Sequence, residues 1–199
     1  MDPWVPPGSS IGTPGEWRAA TSHRFLAGIR EGNLPAGTFG AWLRQDYLFV
    51  NDLLRFQARL LAAAPRPAQA VLAGGLVALE GELTWFEDQL AQRRLVADGP
   101  RHPTTQAYRD ELERLLSQPF EVGMTALWAL ERAYMEAWRE AAPGSIEYRE
   151  FVEHWTAPSF ATYVTGLEAH ASDSPVAETA WLRIVRLEKQ FWDMALRPE

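Results

Sequence analysis

Residues 39–61 read FGAWLRQDYLFVNDLLRFQARLL, and the fold of the chain can be predicted outward from this stretch. Its apolar residues recur at the three- and four-residue intervals of one helical face. Asp46 lies in the middle of that face, between Trp42 and Phe49. Burying a lone carboxylate among aromatic side chains costs several kcal/mol unless a partner or a ligand neutralises it. The stretch therefore predicts a buried helix that carries one inward-facing acid.

About seven or eight helices are predicted along the chain. The same periodicity and the Pro and Gly breaks give helices over 16–31, 35–64, 68–92, 104–118, 121–142, 147–155, 159–170 and 175–196. No two-residue alternation of the kind that indicates strands is found. Residues 1–15 are rich in Pro and Gly and predict an N-terminal arm, and 16–199 predict one helical domain. The predicted fold class is all-α, a single-domain helical bundle.

Composition excludes several classes of function. The net charge is −7, and no Lys/Arg run exceeds Arg93-Arg94, so no nucleic-acid partner is expected. No apolar stretch reaches 18 residues, so no membrane span is expected, and a cytoplasmic location is predicted. There is no cysteine among the 199 residues. Disulfides, thiolate metal sites and a Cys nucleophile are therefore excluded.

The anomaly of Asp46 occurs three more times. Glu82, Glu131 and Glu188 also interrupt aromatic stripes at three- or four-residue spacing, each in a different predicted helix. Four inward acids could surround one cavity. Two plainer explanations stay open at this stage. Each acid could pair with an inward arginine, or the assignment of the stripes could be one residue off, which would place the acid at the rim. The arginines considered for this pairing are Arg55, Arg132 and Arg183.

No metal or cofactor is predicted. Di-metal bundles use Glu-x-x-His pairs on facing helices, and the sequence contains none. The four histidines do not form a ligand cluster by their spacing, and neither G-x-S-x-G nor a phosphate-binding G-x-x-x-x-G-K loop occurs. Aromatic side chains with several carboxylates remain, and they suit a flat, nitrogen-rich ligand. A buried carboxyl whose pKa is raised can also act as a general acid or base.

Three motifs resemble the TenA family, also called the thiaminase II family. FGAWLRQDYLFV, with Gln45-Asp46-Tyr47, resembles its second helix, and LEKQFWDMAL, with Glu188, resembles its closing helix. Pro103-Thr104 followed by Tyr108 fits the intervening tyrosine motif. The resemblance covers residues 16–196 in the family's order. It implies a haem-oxygenase-like helical bundle without haem, and homo-oligomers are usual among the relatives.

One departure from the family pattern indicates a subclass. Most TenA enzymes carry a catalytic cysteine two residues before a Trp of the fifth helix, and Ala126 stands there in this sequence. The segments ALWALERAYMEAW, ELTWFE and HWTAPSFATYVTGLE instead resemble the cysteine-less, TenA_E-like branch. That branch is associated with hydrolysis of formylamino and aminomethyl forms of the thiamine pyrimidine, for salvage. The resemblance thus implies an aminopyrimidine aminohydrolase with a small pyrimidine as its partner molecule.

The resemblance also implies a role for each candidate residue. Asp46 would bind the amino group and ring nitrogen of the pyrimidine, and Glu188 would be the acid–base residue near the exocyclic substituent. Glu131 and Glu82 are the candidates for activating water in place of the missing cysteine. The substrate-binding candidates beside Asp46 are the aromatic residues Phe49, Tyr108, Tyr47, Tyr134 and Tyr163. For the tyrosines other than Tyr108, a place in the half-buried core is an equally good explanation, and Phe49 could likewise belong to the core alone.

Two other classes of function compete with the hydrolase. A non-catalytic pyrimidine-binding or regulatory protein of the same fold is compatible with Ala126. Two inward carboxylates, Glu131 and Glu188, favour chemistry instead. A bundle oxidase that uses iron or a quinone cofactor is the third alternative, and the missing Glu-x-x-His pairs argue against its iron version.

Overall fold

The computed structural model describes residues 14–97 and 99–197, and this part of the chain is helical. No strand occurs among these residues. The nine helices are α1 Pro14–Thr21, α2 Arg24–Glu31, α3 Thr38–Ala63, α4 Arg66–Gln92, α5 Pro103–Leu115, α6 Phe120–Glu140, α7 Arg149–Trp155, α8 Pro158–Glu168 and α9 Pro175–Leu196. The all-α fold class is confirmed. Most of the arm predicted over 1–15 lies outside the described residues, and Pro14 already belongs to α1.

Two helix boundaries differ from the prediction for local reasons. The helix predicted over 16–31 is divided at His23, whose backbone is extended and whose Nδ1 accepts a hydrogen bond from the N–H of Phe25. The side chain thus caps α2, and α1 ends before it. The helix predicted from Pro35 begins only at Thr38, because Gly37 has a left-handed φ of 82° that a helix interior does not allow.

The described residues form two compact units. The first contains the described residues up to Leu34 together with Glu121–Asp193. Its core centres on Trp192 of α9, which stacks on Phe25 with ring centroids 5.6 Å apart and donates from Nε1 to the carbonyl of Ala20 at 2.8 Å. One tryptophan therefore joins α9 to both N-terminal helices through an aromatic and a polar contact.

The second unit contains Pro35–Phe120 and the residues from Met194 onward. Here α3 packs against both α4 and α5. Gln57 of α3 is fully buried, and its side-chain N–H donates to the carbonyl of Leu72 at 2.8 Å, which satisfies a polar group inside the α3–α4 contact. No helix among the described residues has the length and apolar character to cross a membrane.

Candidate functional site

In the first unit, two of the predicted acids are buried beside aromatic rings. Glu131 of α6 and Glu188 of α9 expose 6% and 3% of their surface. Tyr134, one turn after Glu131, stacks on Trp192, one turn after Glu188, with centroids 5.8 Å apart and planes 17° apart. Each carboxylate thus lies one helical turn before a member of the same stacked pair.

The direction of the two helices places both acids at one end of this stack. The N–H of Ser172, just before α9, donates to Thr125 Oγ1 of α6 at 2.8 Å. Farther along both helices, Tyr134 and Trp192 meet. The two helices therefore run parallel where they pack, and Glu131 and Glu188 both lie on the N-terminal side of the Tyr134–Trp192 stack.

Further rings extend the aromatic surface around Tyr134. Trp155 of α7 meets Tyr134 edge-to-face at 5.2 Å, and Trp155 lies 4.6 Å from Trp138. All these rings are buried. A carboxylate in such a setting has little water around it, which favours its use in proton transfer over simple solvation.

In the second unit, Asp46 is the most deeply buried of the candidate acids, with 1% of its surface exposed. One turn later on α3, Phe49 contacts Tyr108 of α5 with ring centroids 4.6 Å apart at 54°. Both rings are buried. The structure thus brings Tyr108 of α5 against Phe49, which lies on the same helix as Asp46.

A polar anchor at Gln45 holds α5 beside this pair. Its Oε1 accepts hydrogen bonds from the backbone N–H of His102 at 3.0 Å and from the hydroxyl of Thr105 at 2.7 Å. Its Nε2 donates to the carbonyl of Pro100 at 3.0 Å. Tyr108 follows Thr105 by one helical turn. The hydrogen bonds of Gln45 therefore hold the part of α5 that carries the Tyr108 ring beside α3.

The remaining candidates lie nearer the surface. Tyr47 is half-buried, and its hydroxyl donates to Glu87 of α4 at 2.9 Å in an exposed setting. Glu82 of α4 is also half-buried, unlike the other three acids. Tyr163 of α8 is half-buried and stacks on Phe160 at 6.4 Å. Their roles in ligand binding stay predictions.

Two arginines considered as partners of the inward acids contact other carboxylates. Arg55 bonds to Asp52 at 3.3 Å. Arg132 pairs with Glu136 at 2.9 Å and approaches Glu168 at 3.5 Å. The first pair lies within α3, the second lies within α6, and the third joins α6 to α8.

Sequence reasoning passed over Asp52, which has a well-defined place. This carboxylate is 6% exposed and receives two hydrogen bonds from Arg101, at 2.5 and 3.2 Å, besides the one from Arg55. Asp52 lies three residues after Phe49 on the buried stripe of α3, and this spacing predicts that its side chain is buried. Gln45 belongs to the Gln45-Asp46-Tyr47 motif, but its hydrogen-bond partners lie 55 to 60 residues away, so no short-range pattern predicts them.

His23 and Asp193 form a titratable pair in the first unit. Nε2 of His23 bonds to Asp193 Oδ1 at 3.2 Å. Burial lowers the pKa of His23, and the neighbouring carboxylate only partly offsets this. Since Nδ1 accepts from the N–H of Phe25, the neutral ring carries its proton on Nε2. Among residues 14–97 and 99–197, no three His, Asp or Glu side chains lie close enough together to hold a metal ion.

Comparison with known proteins agrees with the fold and with these motifs. The sequence profile of the TENA/THI-4/PQQC family matches residues 15–198. A Glycine max protein described as "Probable bifunctional TENA-E protein" is 30% identical over 200 residues, which cover 90% of this chain and 87% of that protein.

Solved structures of TenA homologues have the same fold. One from Pyrococcus furiosus superposes with a TM-score of 0.86 at 29% identity, covering 91% of this chain and 94% of the other. One from P. horikoshii gives a TM-score of 0.83 at 21% identity, with 92% and 93% covered.

The helical fold and its likeness to a solved TenA homologue define an all-α protein of the TenA kind. The chain belongs to the TENA/THI-4/PQQC family. The resemblance found from the sequence motifs is thereby confirmed, and the absence of any cysteine is consistent with its cysteine-less branch.

Proposed function

We propose that this protein hydrolyses aminopyrimidines derived from thiamine breakdown, in their formylamino and aminomethyl forms, for salvage. One observation carries the proposal: Glu131 and Glu188 are both buried, each one turn before the Tyr134–Trp192 stack. Two carboxylates of this kind supply a general acid and a general base. Membership of the family supports a thiamine-related hydrolase as the class.

The proposed chemistry uses water directly, because the chain has no cysteine to form a covalent intermediate. One of the two glutamates takes a proton from water as its oxygen attacks the carbon bonded to the departing nitrogen, which is the formyl carbon of the formylamino form or the methylene carbon of the aminomethyl form. The C–N bond breaks with its electron pair on nitrogen. The other glutamate, in its acid form, protonates the leaving amine.

We assign recognition of the pyrimidine to Asp46, Phe49 and Tyr108, as the resemblance to the family implies. A carboxylate such as Asp46 can accept hydrogen bonds from an amino group and a protonated ring nitrogen side by side, which is a bidentate pattern. Phe49 and Tyr108 supply aromatic surface for a flat ring. Loss of the Asp46 carboxylate should therefore weaken substrate binding, whereas loss of Glu131 or Glu188 should slow turnover.

The test is hydrolysis of the formylamino- and aminomethyl-pyrimidines by purified protein without added metal, with thiamine for comparison. Glu131→Gln and Glu188→Gln should each lower kcat by about 10² to 10⁴-fold, the usual contribution of a general acid or base. Asp46→Asn should raise KM by roughly tenfold or more, since a charge-assisted pair is lost.

Glu178→Gln is the matched control, because Glu178 is a second buried glutamate of α9 that lies outside the candidate set. Its kcat should stay within about twofold of the wild type, and thermal unfolding of each variant separates lost activity from lost folding. Turnover of both pyrimidines that survives in Glu188→Gln and Glu131→Gln would refute the mechanism. Tight pyrimidine binding without turnover, lost in Asp46→Asn, would instead identify a non-catalytic binding protein.

A further inference from the structure

An arginine-lined groove between α3 and α5 has no part in the proposed hydrolysis. It is a cavity of about 380 Å³ within the second unit. Three arginines line it: Arg55 and Arg59 from α3, and Arg109 from α5. A cavity of this size falls in the range in which proteins hold small molecules, about 300–1,000 Å³.

The guanidinium groups of this arginine groove retain many unused donors. Arg55 gives one Nη1 bond to Asp52 at 3.3 Å, and Arg109 gives its Nε to Glu113 at 3.2 Å. Arg59 makes no hydrogen bond or ion pair with the described residues. Because each guanidinium carries five N–H groups, both terminal nitrogens of Arg109, one of Arg55 and all three of Arg59 stay available.

The charge of the groove is opposite in sign to that of the whole protein. Its two carboxylates, Asp52 and Glu113, face three arginines, and Arg101 neutralises Asp52 through two further hydrogen bonds. The three arginines and two carboxylates that line the groove carry a net charge of +1, in a chain whose net charge is −7. The hydrogen bond to Glu113, and then the negative charge of Asp52, raise the pKa of Arg109, so its guanidinium stays protonated.

One wall of the groove is apolar. Phe56 and Leu112 are buried beneath it, and Leu116 is half-exposed at its side. Donor-rich guanidinium groups next to an apolar wall match a ligand that has an oxyanion at one end and a hydrophobic body at the other. Arginine forks suit the oxygens of a phosphate better than a single-point cation does.

We propose that the arginine groove is a binding site for a small phosphate monoester with an aromatic or apolar body. The phosphate contacts Arg59 and Arg109, with Arg55 at its edge. The body packs against Leu116 and the apolar wall that Phe56 and Leu112 contribute. None of the carboxylates of the proposed hydrolysis lines the groove, and the site does not depend on that function.

Phenyl phosphate and inorganic phosphate are the probes, titrated calorimetrically into the full-length protein at low ionic strength. Phenyl phosphate should bind saturably at one site, about tenfold more tightly than inorganic phosphate, because its ring is withdrawn from water. Raising the salt concentration from about 0.02 to 0.2 M should weaken both ligands, since the groove is open to screening.

Substitutions in the groove give the decisive comparison. Arg59→Gln and Arg109→Gln should each lower the affinity for both probes by about tenfold, the loss expected for one charge-assisted pair. Leu116→Ser should remove the preference for phenyl phosphate and leave inorganic phosphate unchanged. Arg66→Gln is the matched control, because Arg66 lies in the same unit, bonds to Gln69 and is outside the groove. It should bind both probes as the wild type does.

Three results would overturn the proposal. The first is the absence of saturable binding of phenyl phosphate by the wild type. The second is binding that Arg59→Gln and Arg109→Gln leave intact, which would place the phosphate elsewhere. The third is an equal loss in Arg66→Gln, which would mean that general surface charge alone attracts the anion. Thermal unfolding of the variants checks that each is folded at the temperature of titration.

Discussion

Replacement of Gln45 by methionine tests the anchor between α3 and α5. Methionine has nearly the same length and volume as glutamine, so packing is kept while all three polar contacts are lost. The N–H of His102 and the hydroxyl of Thr105 then lose their acceptor. Thr105 is fully buried, and its only other described contact is a weak one to Met194 Sδ at 3.6 Å. Water therefore cannot easily reach the Thr105 hydroxyl, whereas His102 is half-buried and loses less.

The magnitude follows from these contacts. A net hydrogen bond contributes about 1 kcal/mol, and a buried donor left unsatisfied costs about 1–3 kcal/mol. Two donors lose their acceptor, whereas the bond to Pro100 is exposed and adds little. The free energy of unfolding should fall by about 2–4 kcal/mol. Gln45→Glu keeps an acceptor for both donors beside the N-terminus of α5, so its loss should be about 1 kcal/mol or less.

Urea unfolding measures these changes, and hydrogen exchange locates them. In Gln45→Met, protection should fall most over 103–115, because α5 loses its attachment to α3. A double-mutant cycle with Thr105→Val isolates one bond. In the valine background the hydroxyl is already absent, so the cost of Gln45→Met should shrink by about 1 kcal/mol or more.

The reasoning fails if Gln45→Met unfolds within about 0.5 kcal/mol of the wild type, the range of an ordinary surface substitution. It also fails if the costs of Gln45→Met and Thr105→Val simply add. Additivity would mean that the two side chains do not share the bond seen at 2.7 Å.

Three further substitutions probe the titratable His23 and two glycines with a positive φ. Burial lowers the pKa of His23 in the folded protein, so as the pH falls His23 is protonated in the unfolded chain before it is protonated in the folded one. The stability that neutral His23 contributes should therefore be complete above about pH 6.5, and it should fall as the pH drops toward the lower pKa of the folded state. His23→Asn, which keeps a capping side chain but does not titrate, should flatten the dependence of urea midpoints on pH between about 7 and 5, and an unchanged slope would contradict the assignment. Gly32→Ala should cost about 2–4 kcal/mol, because φ is +70° and a new Cβ would lie 2.9 Å from Ser145 Cβ. Gly37→Ala, with φ at +82° but nothing within 4 Å of its Cβ, should cost about 1 kcal/mol, and equal losses at the two glycines would rule out the contact with Ser145.

The sequence predicted that four anomalous acids face inward, and three of them are buried. Asp46, Glu131 and Glu188 lie on apolar stripes of long helices, and all three are buried. Glu82 satisfied the same pattern but is half-exposed. Helical periodicity states which residues share a face. It does not state how far a neighbouring helix covers that face, so residues at the edge of a stripe are assigned least accurately.

Local chemistry by itself determined that this chain is helical and where most helices end. Helical hydrogen bonds join residues four positions apart, and Pro65, Pro119 and Pro158 interrupt them within the sequence. The tertiary structure alone decided that Gln45 anchors α5, that Arg101 neutralises Asp52, and that Tyr47 turns to Glu87. These partners are 40 to 60 residues apart. Their pairing depends on how the helices pack, and no short-range pattern records it.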